Sequence, residues 1–306
     1  MEQITEISPH IKTANDTKSI MLDVIIALFP AAFFGIVIFG ISALLTVAVC
    51  IASAVLCEAL ACMLLKRPLT TGDLTAAVTG LILALNLPAG IPLYIVALGS
   101  AFAVIAAKLL FGGVGKNIVN PAIAGRVFLL TAFPKVMTVF NEPFSDLVAT
   151  ATPLSGGEYE FKEIFFGVCS GTIGETSVVL LLFGGLYLWV RGVITLDTPV
   201  SFIFTAFIIA IIAGQNPFTA ISQGGIIFGA VFMATDYVTT PVTRRGRVIF
   251  GIGCGAITMY IRLFAALPEG VSYSILIMNL LTPLIDRIVL NRPFGVGIKE
   301  AGLHDK

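Results

Sequence analysis

The sequence predicts an all-α polytopic membrane protein with about ten transmembrane helices. Of its 306 residues, 57% are hydrophobic and only 12% are charged, whereas a water-soluble domain carries roughly a quarter charged residues. The mean hydropathy is +1.01. No segment alternates polar and apolar residues as the strands of a membrane barrel do, so each span is predicted to be a helix of about 20 mainly apolar residues.

Proline, glycine and charged residues divide the apolar sequence into ten predicted spans. They are residues 20–40, 42–65, 74–87, 91–111, 119–133, 175–191, 199–213, 222–236, 247–266 and 271–290. Three of them are short: 74–87, 119–133 and 222–236. Because no water reaches unpaired backbone groups inside a bilayer, we expect other parts of the protein to surround the ends of these short spans.

The charged residues predict the orientation of the chain. The net charge is zero, with 18 Lys and Arg against 18 Asp and Glu, so no overall field attracts nucleic acid. With the N-terminus inside, the inner loops and tails hold twelve basic residues and the outer loops only two, Lys135 and Lys162. Since basic residues concentrate in cytoplasmic loops, residues 1–19 and 291–306 are predicted to be cytoplasmic tails, and loop 134–174 is predicted to lie outside.

The long loop divides the predicted spans into two halves of five, residues 20–133 and 175–290. An odd number of spans per half means that a structural repeat must be inverted across the membrane, an arrangement that resembles the urea-channel architecture. The triplet Lys108-Leu109-Leu110 in the fourth span is echoed by Arg262-Leu263-Phe264 in the ninth. Short spans at matching positions of two such halves indicate a ligand site between them.

Several charged residues fall inside predicted spans, where they need a partner or water. For Glu58 we expect a hydrogen bond to a neighbouring helix, and a role as an ion relay is the alternative. Lys108 and Arg287 are near span ends and are expected to extend to the membrane surface. Arg126 and Arg262 need a carboxylate, a carbonyl or a bound anion. Arg262 is the better candidate to bind a ligand, because it lies on the side of the long loop.

Two further segments are candidates to line a ligand site. Asp73 and Asp236 lie at the inner ends of short spans, where they either cap helices or contribute to a site. The stretch GGVGKN, residues 112–117, lacks the spacing of a nucleotide-binding P-loop. It is predicted to form a tight turn that continues to Asn120, and its irregular backbone either packs helices closely or lines a ligand cavity.

The outer loop contains the stretch DLVATATPLSGG, Asp146 to Gly157. Pro153 restricts the preceding Thr152 to an extended backbone, which keeps its hydroxyl out of a helical turn. An alcohol on an accessible loop is what an enzyme needs in order to attach a phosphate ester. The alternative is an ordinary Ser/Thr turn before a proline.

The sequence predicts no metal site. Its cysteines contain no CxxC pair and no nearby histidine, and the two histidines, His10 and His304, lie in the polar tails. We therefore expect neither a metal centre nor an iron–sulfur cluster built by this chain alone.

Five stretches of the sequence are similar to one known family, which comprises the D subunits of Rnf complexes and the B subunits of the sodium-translocating NADH:quinone reductases. The resemblance covers nearly the whole chain. It is carried by TTGDLTAAVTGLILALNLP (Thr70–Pro88), FGGVGKNIVNPAIAGRVF (Phe111–Phe128), DLVATATPL (Asp146–Leu154), GGIIFGAVFMATDYVTTPVT (Gly224–Thr243) and GCGAITMYIRLFAALPEGVSYSILIMNLLTPLIDR (Gly253–Arg287).

The resemblance implies a covalently attached flavin. In that family FMN is joined through its phosphate to the threonine that precedes a Pro-Leu pair, which corresponds here to Thr152 followed by Pro153. Thr150 is the lesser candidate for the attachment. Arg262 and the region around Asp236 are implied to line the site. Relatives in this family also hold a second, unattached riboflavin between spans.

The same resemblance implies a function and a set of partners. The chain would carry electrons in a bacterial cytoplasmic-membrane oxidoreductase that links ferredoxin and NAD to Na⁺ or H⁺ movement, and it would be inactive alone. Its partners would be the A, B, C, E and G subunits of the Rnf complex, a flavin transferase and the lipid membrane, with no nucleic acid. The alternatives are a small-solute channel or transporter of inverted-repeat type and a purely structural scaffold, because fold analogy does not fix function.

Overall fold

The computed structural model shows a helical protein. It describes residues 16–66, 70–145, 148–149, 152, 159, 161–175, 177–265 and 269–289, with the backbone alone at 148–149. Nearly all of both predicted tails lies outside the described residues. The helices are α1 Thr17–Leu64, α2 Thr75–Leu85, α3 Leu93–Val104, α4 Pro121–Ala132, α5 Pro134–Met137, α6 Phe161–Phe166, α7 Val178–Val190, α8 Asp197–Ile212, α9 Pro217–Ser222, α10 Ile226–Phe228, α11 Arg244–Phe264 and α12 Val271–Ile288.

The first helix is broken at Gly40. As one straight helix, the 48 residues of α1 would extend about 72 Å at 1.5 Å per residue, far more than the bilayer core of about 30 Å. Gly40 has φ 69° and ψ −150°, a non-helical conformation that glycine adopts without strain. The carbonyl of Ile38, just before the break, accepts a hydrogen bond from the Phe144 N–H at 3.0 Å. The break lies where the sequence separates the first two predicted spans.

Helical segments also lie at the other predicted spans, but they differ in length. Among the described residues, three helices combine the length and composition needed to cross a membrane, namely α1, α11 and α12. The others are shorter apolar helices, and α3 continues as a π-helical turn, Ile105–Leu109. The structure therefore establishes a mainly helical membrane protein.

The short third and eighth segments are enclosed by protein. Of the 11 residues of α2, only Ala77 and Thr79 are not buried. The helix α10 and the π-helical turn that follows it, Gly229–Met233, are buried throughout. Each segment starts after a residue in left-handed conformation, Leu74 with φ 63° and Gly225 with φ 70°. This enclosure agrees with the expectation that short spans need surrounding protein.

Small residues bring the helices into close contact. A Cβ atom added to Gly255 of α11 would lie 2.7 Å from the Phe202 carbonyl oxygen of α8, and one added to Gly80 would lie 2.9 Å from the Cys50 carbonyl oxygen of α1. Gly184 of α7 approaches the backbone of Ala27 in α1 in the same way. Close backbone approach through small residues is the usual way in which membrane helices associate.

The predicted outer loop has some structure of its own. It contains α5, α6 and a two-residue antiparallel strand pair, β1 (Phe140–Asn141) with β2 (Val148–Ala149), in which Phe140 faces Ala149. This strand pair is a small addition to the predicted all-α fold. Thr152 follows the end of β2 by three residues.

Candidate functional site

Thr152 lies at a cavity between the predicted outer loop and the helical body. The side chain is partly buried, and the cavity measures about 50 Å³. The lining comprises Leu130, Met137, Thr138, Phe140, Thr152, Ile164, Cys169, Ser170, Gly171, Glu175, Ser222, Gln223, Gly224 and Glu269. We call this the outer cavity. Thr150 and Pro153, the other two residues predicted at the attachment site, lie outside the described residues.

The lining of the outer cavity suits one part of a flavin cofactor. It combines a hydroxyl that can carry a phosphate ester with apolar side chains such as Phe140 and Ile164. Its volume holds about four waters, since one water-sized probe occupies roughly 10–15 Å³, whereas enclosed pockets for ligands of flavin size measure roughly 300–1,000 Å³. The lining residues therefore fit the phosphate that would join FMN to Thr152 and one edge of the isoalloxazine ring. The described residues do not enclose the whole ring.

A buried ionic cluster forms part of the wall of the outer cavity. Arg126 of α4 is 3% exposed and bonds the carboxylates of Glu175, at 3.1 Å, and Glu269. The same guanidinium donates to the side-chain oxygen of Asn86. Both carboxylates line the cavity. A buried arginine inside a membrane span is unfavourable without a partner. Glu175 and Glu269 are the partners of Arg126, for which the sequence predicts a carboxylate, a carbonyl or a bound anion.

Arg262 supports the cavity from behind. Its guanidinium donates to the carbonyl oxygens of Ala220 at 2.9 Å, Gln223 at 2.9 Å and Gly224 at 2.8 Å. Gln223 and Gly224 line the outer cavity, whereas Arg262 itself does not. The carbonyls at the end of α9 lack helical partners, and a basic side chain satisfies them. Arg262 thus contacts residues that line the outer cavity but does not line it itself.

Among the described residues that line the outer cavity, the one thiol is that of Cys169. Burial raises the pKa of Cys169 to about 12, and the nearby carboxylates of Glu175 and Glu163 act in the same direction. Since the thiolate is the nucleophilic form of cysteine, this raised pKa makes Cys169 a weak nucleophile. Within the described part of the lining, Cys169 therefore does not compete with Thr152 as a nucleophile.

A second and larger cavity of about 120 Å³ lies between α2, α4, α7 and the π-helical turn after α10. We call it the inner cavity. It is lined by Met21, Val24, Thr75, Val78, Thr79, Ile82, Lys108, Val114, Gly115, Asn117, Asn120, Pro121, Ala122, Leu188, Val193, Ile194, Val231, Phe232, Thr235, Asp236, Tyr237 and Val238. The candidate residues Asn120 and Asp236 both line the inner cavity, as does part of the GGVGKN stretch.

Asn120 connects the two halves of the chain at the inner cavity. Its side-chain oxygen caps α4 by accepting from the N–H of Ala122 at 3.0 Å, and its amide nitrogen donates to the Met233 carbonyl at 3.2 Å. A capping asparagine before a proline at the first helical position is a common helix start. Three residues after the π-helical turn Gly229–Met233, Asp236 accepts from the Thr239 hydroxyl at 3.0 Å.

Lys108 does not extend to the membrane surface, so that prediction is wrong. The side chain is 2% exposed, and its ammonium nitrogen lies 2.6 Å from Oε1 of Glu58, which is 0% exposed. Lys108 also donates to Oγ1 of Thr75 at 2.7 Å, and Thr70 donates to Glu58 at 2.9 Å. The physical reason is that Glu58 is buried in α1 and its charge would otherwise be unpaired. The expected bonds from Glu58 to neighbouring elements are present.

The structure separates the predicted site residues into two groups. Thr152 is at the outer cavity with Arg262 behind it, while Asn120 and Asp236 line the inner cavity. Sequence reasoning missed Glu175 and Glu269. The signal that points to them is Arg126, because an arginine in a predicted span needs a partner and a carboxylate is one of the groups that can supply it.

Comparison with known proteins agrees with the resemblance of the motifs. The model of the NQR2, RnfD, RnfE family matches residues 4–295. The chain is 46% identical to the D subunit of the Na(+)-translocating ferredoxin:NAD(+) oxidoreductase complex of Acetobacterium woodii, over 94% of each chain. It is 41% identical to the D subunit of the Proton-translocating ferredoxin:NAD(+) oxidoreductase complex of Clostridium ljungdahlii, over 94% of this chain and 95% of the relative.

A third relative is more distant. The chain is 36% identical to the D subunit of the Ion-translocating oxidoreductase complex of Stutzerimonas stutzeri, over 90% of this chain and 91% of the relative. The family match extends over both cavities and all described helices. The chain therefore belongs to the NQR2, RnfD, RnfE family.

Proposed function

We propose that this chain is the D subunit of an Rnf-type complex, which carries electrons in a membrane oxidoreductase linking ferredoxin and NAD to ion translocation. The relatives of 46% and 41% identity bear names of ferredoxin:NAD(+) oxidoreductase complex subunits and are matched over nearly their whole length. One name specifies Na⁺ and the other protons, so the similar complexes include a Na⁺-translocating and a proton-translocating one.

The proposal includes a covalent FMN on Thr152, and the single observation that carries it is the position of this residue. Thr152 is partly buried at a cavity that combines a hydroxyl with apolar side chains. When bound, FMN supplies one-electron transfer. In this proposal Thr152 holds the phosphate. Gln223 and Gly224, fixed by Arg262, form one side of the site.

The paired charges beneath the cavity support this assignment. A phosphate near two free carboxylates would be repelled. Here Arg126 bonds both Glu175 and Glu269, which compensates part of their negative charge. Arg126 and Arg262 thus bring two positive groups against residues that line the cavity, and each is engaged with protein oxygen atoms.

We also propose the finer membrane arrangement that the sequence predicts, with ten crossings in two inverted halves. Both termini would be cytoplasmic and the flavin loop would be on the outer face of a bacterial cytoplasmic membrane. One correspondence supports the inversion. Lys108 bonds Thr75, at the start of the short helix α2, and Arg262 bonds Gly224, just before the short helix α10. These are the two basic residues whose flanking triplets echo one another.

The inner cavity is our candidate for a second, unattached flavin, riboflavin. Its lining is mainly apolar, with polar groups from Asn120, Asp236 and Lys108, the combination typical of small-molecule sites. At about 120 Å³ it is also smaller than pockets that enclose such ligands, roughly 300–1,000 Å³. We therefore assign to it the polar edge of the ring rather than the whole molecule.

The proposed partners are the A, B, C, E and G subunits of the complex, together with a flavin transferase that attaches the FMN. The described surface carries many large exposed apolar side chains, for example Phe29, Phe204 and Phe264. In a membrane protein such side chains face lipid or neighbouring subunits. This apolar surface supports insertion into a membrane, and parts of it can contact neighbouring subunits.

The alternative of a small-solute channel has weaker support. The outer and inner cavities share no lining residue, so the described part of the chain does not contain a continuous pore through both. A passive channel also has no use for an esterified flavin on its outer loop.

The test is to purify the chain from cells that contain its flavin transferase, denature it and examine the protein band for flavin fluorescence. We expect a fluorescent band and, after proteolysis, a peptide containing Thr152 whose mass is increased by FMN. A dark band from a complex that transfers electrons would refute the covalent assignment. Chain purified from cells that lack the transferase is the control and should be dark.

A further inference from the structure

The described lining of the outer cavity contains two carboxylates that share one cation. Arg126 bonds Oε1 of Glu175 at 3.1 Å and also Oε1 of Glu269. One carboxylate is enough to neutralise a guanidinium, so the second leaves this group of three side chains with a net charge of minus one. An excess charge removed from water is unfavourable, and the pairing of Arg126 alone does not require it. The excess charge therefore indicates a further role for the carboxylates.

Both carboxylates are exposed to the cavity. Glu175 and Glu269 line it with side chains that are 13% and 15% exposed, whereas Arg126 is 3% exposed and does not line it. In the hydrogen bonds of the described residues, Glu269 uses Oε1 alone. An ionised carboxylate only accepts hydrogen bonds. Oε2 of Glu269 can therefore accept one from a donor group inside the cavity.

The surrounding backbone fixes the position of Glu175. The N–H of Gly174 donates to the Leu85 carbonyl at 2.7 Å, which attaches this segment to the end of α2. A Cβ atom on Gly225, which has φ 70°, would overlap Oε1 of Glu175. The carboxylate is thus held between Gly225 and Arg126. A charge fixed in this way acts on a nearby charge without first having to reorient.

We infer that Glu175 and Glu269, held in place by Arg126, lower the redox potential of the flavin at the outer cavity. This inference rests on the proposed covalent FMN at Thr152. Each electron passed to the flavin from the preceding carrier of the proposed complex oxidises that carrier and adds one negative charge to the ring. The two fixed carboxylates repel this charge. They therefore favour the oxidised form of the flavin.

The charged side chains of the described lining are these two carboxylates alone. Arg262 contacts lining residues, but it donates to the carbonyl oxygens of Gln223 and Gly224 and does not line the cavity itself. At an effective dielectric constant of about 20, one charge about 10 Å from the ring changes the equilibrium constant of reduction on the order of tenfold. For a one-electron couple, a tenfold change is about 59 mV.

A redox titration of the full-length chain, purified with its flavin attached, tests the inference. Glu269→Gln removes one negative charge and keeps an oxygen that can accept from Arg126. The midpoint potential of the attached flavin should therefore rise by about 59 mV, a tenfold change in the equilibrium constant. Glu269→Asp keeps the charge and should stay close to the wild type. An unchanged potential in Glu269→Gln, or an equal rise in Glu269→Asp, overturns the inference.

The matched control is Glu142→Gln, at an exposed position of the predicted outer loop. It removes the same charge from a place where water and salt screen it, so the potential should not change. A rise as large as that of Glu269→Gln would mean that the position at the cavity is unimportant, and this too would overturn the inference.

A second variant covers the case in which Glu269→Gln does not fold. Glu175→Gln also removes one charge beside Arg126, so the potential should rise, and a constant potential would contradict the inference. Titration of Thr152→Ala, which should lack the attached flavin, identifies any signal from an unattached flavin. Fluorescence of the denatured band separates the two proposals. A wild-type chain without attached flavin refutes the covalent FMN, whereas attached flavin with equal potentials in all variants refutes only the role of the carboxylates.

Discussion

The ammonium nitrogen of Lys108 lies 2.6 Å from a carboxylate oxygen of Glu58, between side chains that are 2% and 0% exposed. The two residues are 50 positions apart in the sequence and belong to different helices. Removing two charges from water is unfavourable, and their mutual attraction offsets this only when both are present. The pair is therefore a unit, and changes to one member affect the other.

Lys108→Met should destabilise the protein by about 3–5 kcal/mol, because it leaves the Glu58 carboxylate buried without its cation. The double variant Lys108→Met with Glu58→Gln should recover most of this loss, since it removes both charges. Thermal unfolding of the purified protein can be followed with a thiol-reactive dye, because four cysteines, Cys50, Cys62, Cys169 and Cys254, are buried. Equal destabilisation by the single and the double variant would show that the two charges are not coupled.

Arg126→Met should destabilise the protein by a similar amount, about 3–5 kcal/mol, because two glutamates would lose their common partner. Arg126→Lys keeps the charge but cannot reproduce the forked geometry that contacts Glu175, Glu269 and Asn86 at once. We expect an intermediate effect for it in the same assay. Arg287→Met, at an exposed position near the end of α12, is the control and should change the unfolding midpoint little.

The helical framework could be predicted from the sequence because its signals are local. Apolar runs interrupted by glycine, proline and charge place the helical segments within a few residues, and the break between the first two spans lies at Gly40. The enclosure of α2 and α10 by protein could be predicted because both lie in spans too short to cross a bilayer on their own. The π-helical turns at 105–109 and 229–233 have no local sequence signal, so they could not be predicted.

The partners of the charged residues could not be predicted either, since they depend on tertiary packing. Lys108 lies near the end of a predicted span, a position from which a lysine normally reaches the surface, yet it turns inward to pair with Glu58. Arg126 pairs with Glu269, 143 positions away. The sequence indicates that a partner is needed but not which carboxylate supplies it.

Thr152→Ala should abolish the attached flavin while leaving membrane insertion intact, because the loss of one partly buried hydroxyl has little effect on stability. Fluorescence of the denatured band measures the outcome. Thr138→Ala is a matched control, since Thr138 is also a threonine that lines the outer cavity, and its hydroxyl donates to the Pro134 carbonyl. If Thr152→Ala keeps its flavin and Thr150→Ala loses it, the ester is on Thr150 instead.

Gly40→Ala should destabilise the protein by about 1–3 kcal/mol, the usual strain of a residue held in a rarely populated backbone conformation. The cause must be the backbone, because a Cβ atom at Gly40 would meet nothing within 4 Å although φ is +69°. Gly72→Ala is the matched control, being equally open but without a positive φ. The thiol-dye assay should therefore show a lower unfolding midpoint for Gly40→Ala alone. Equal midpoints for the two variants would mean that the break in α1 tolerates a side chain.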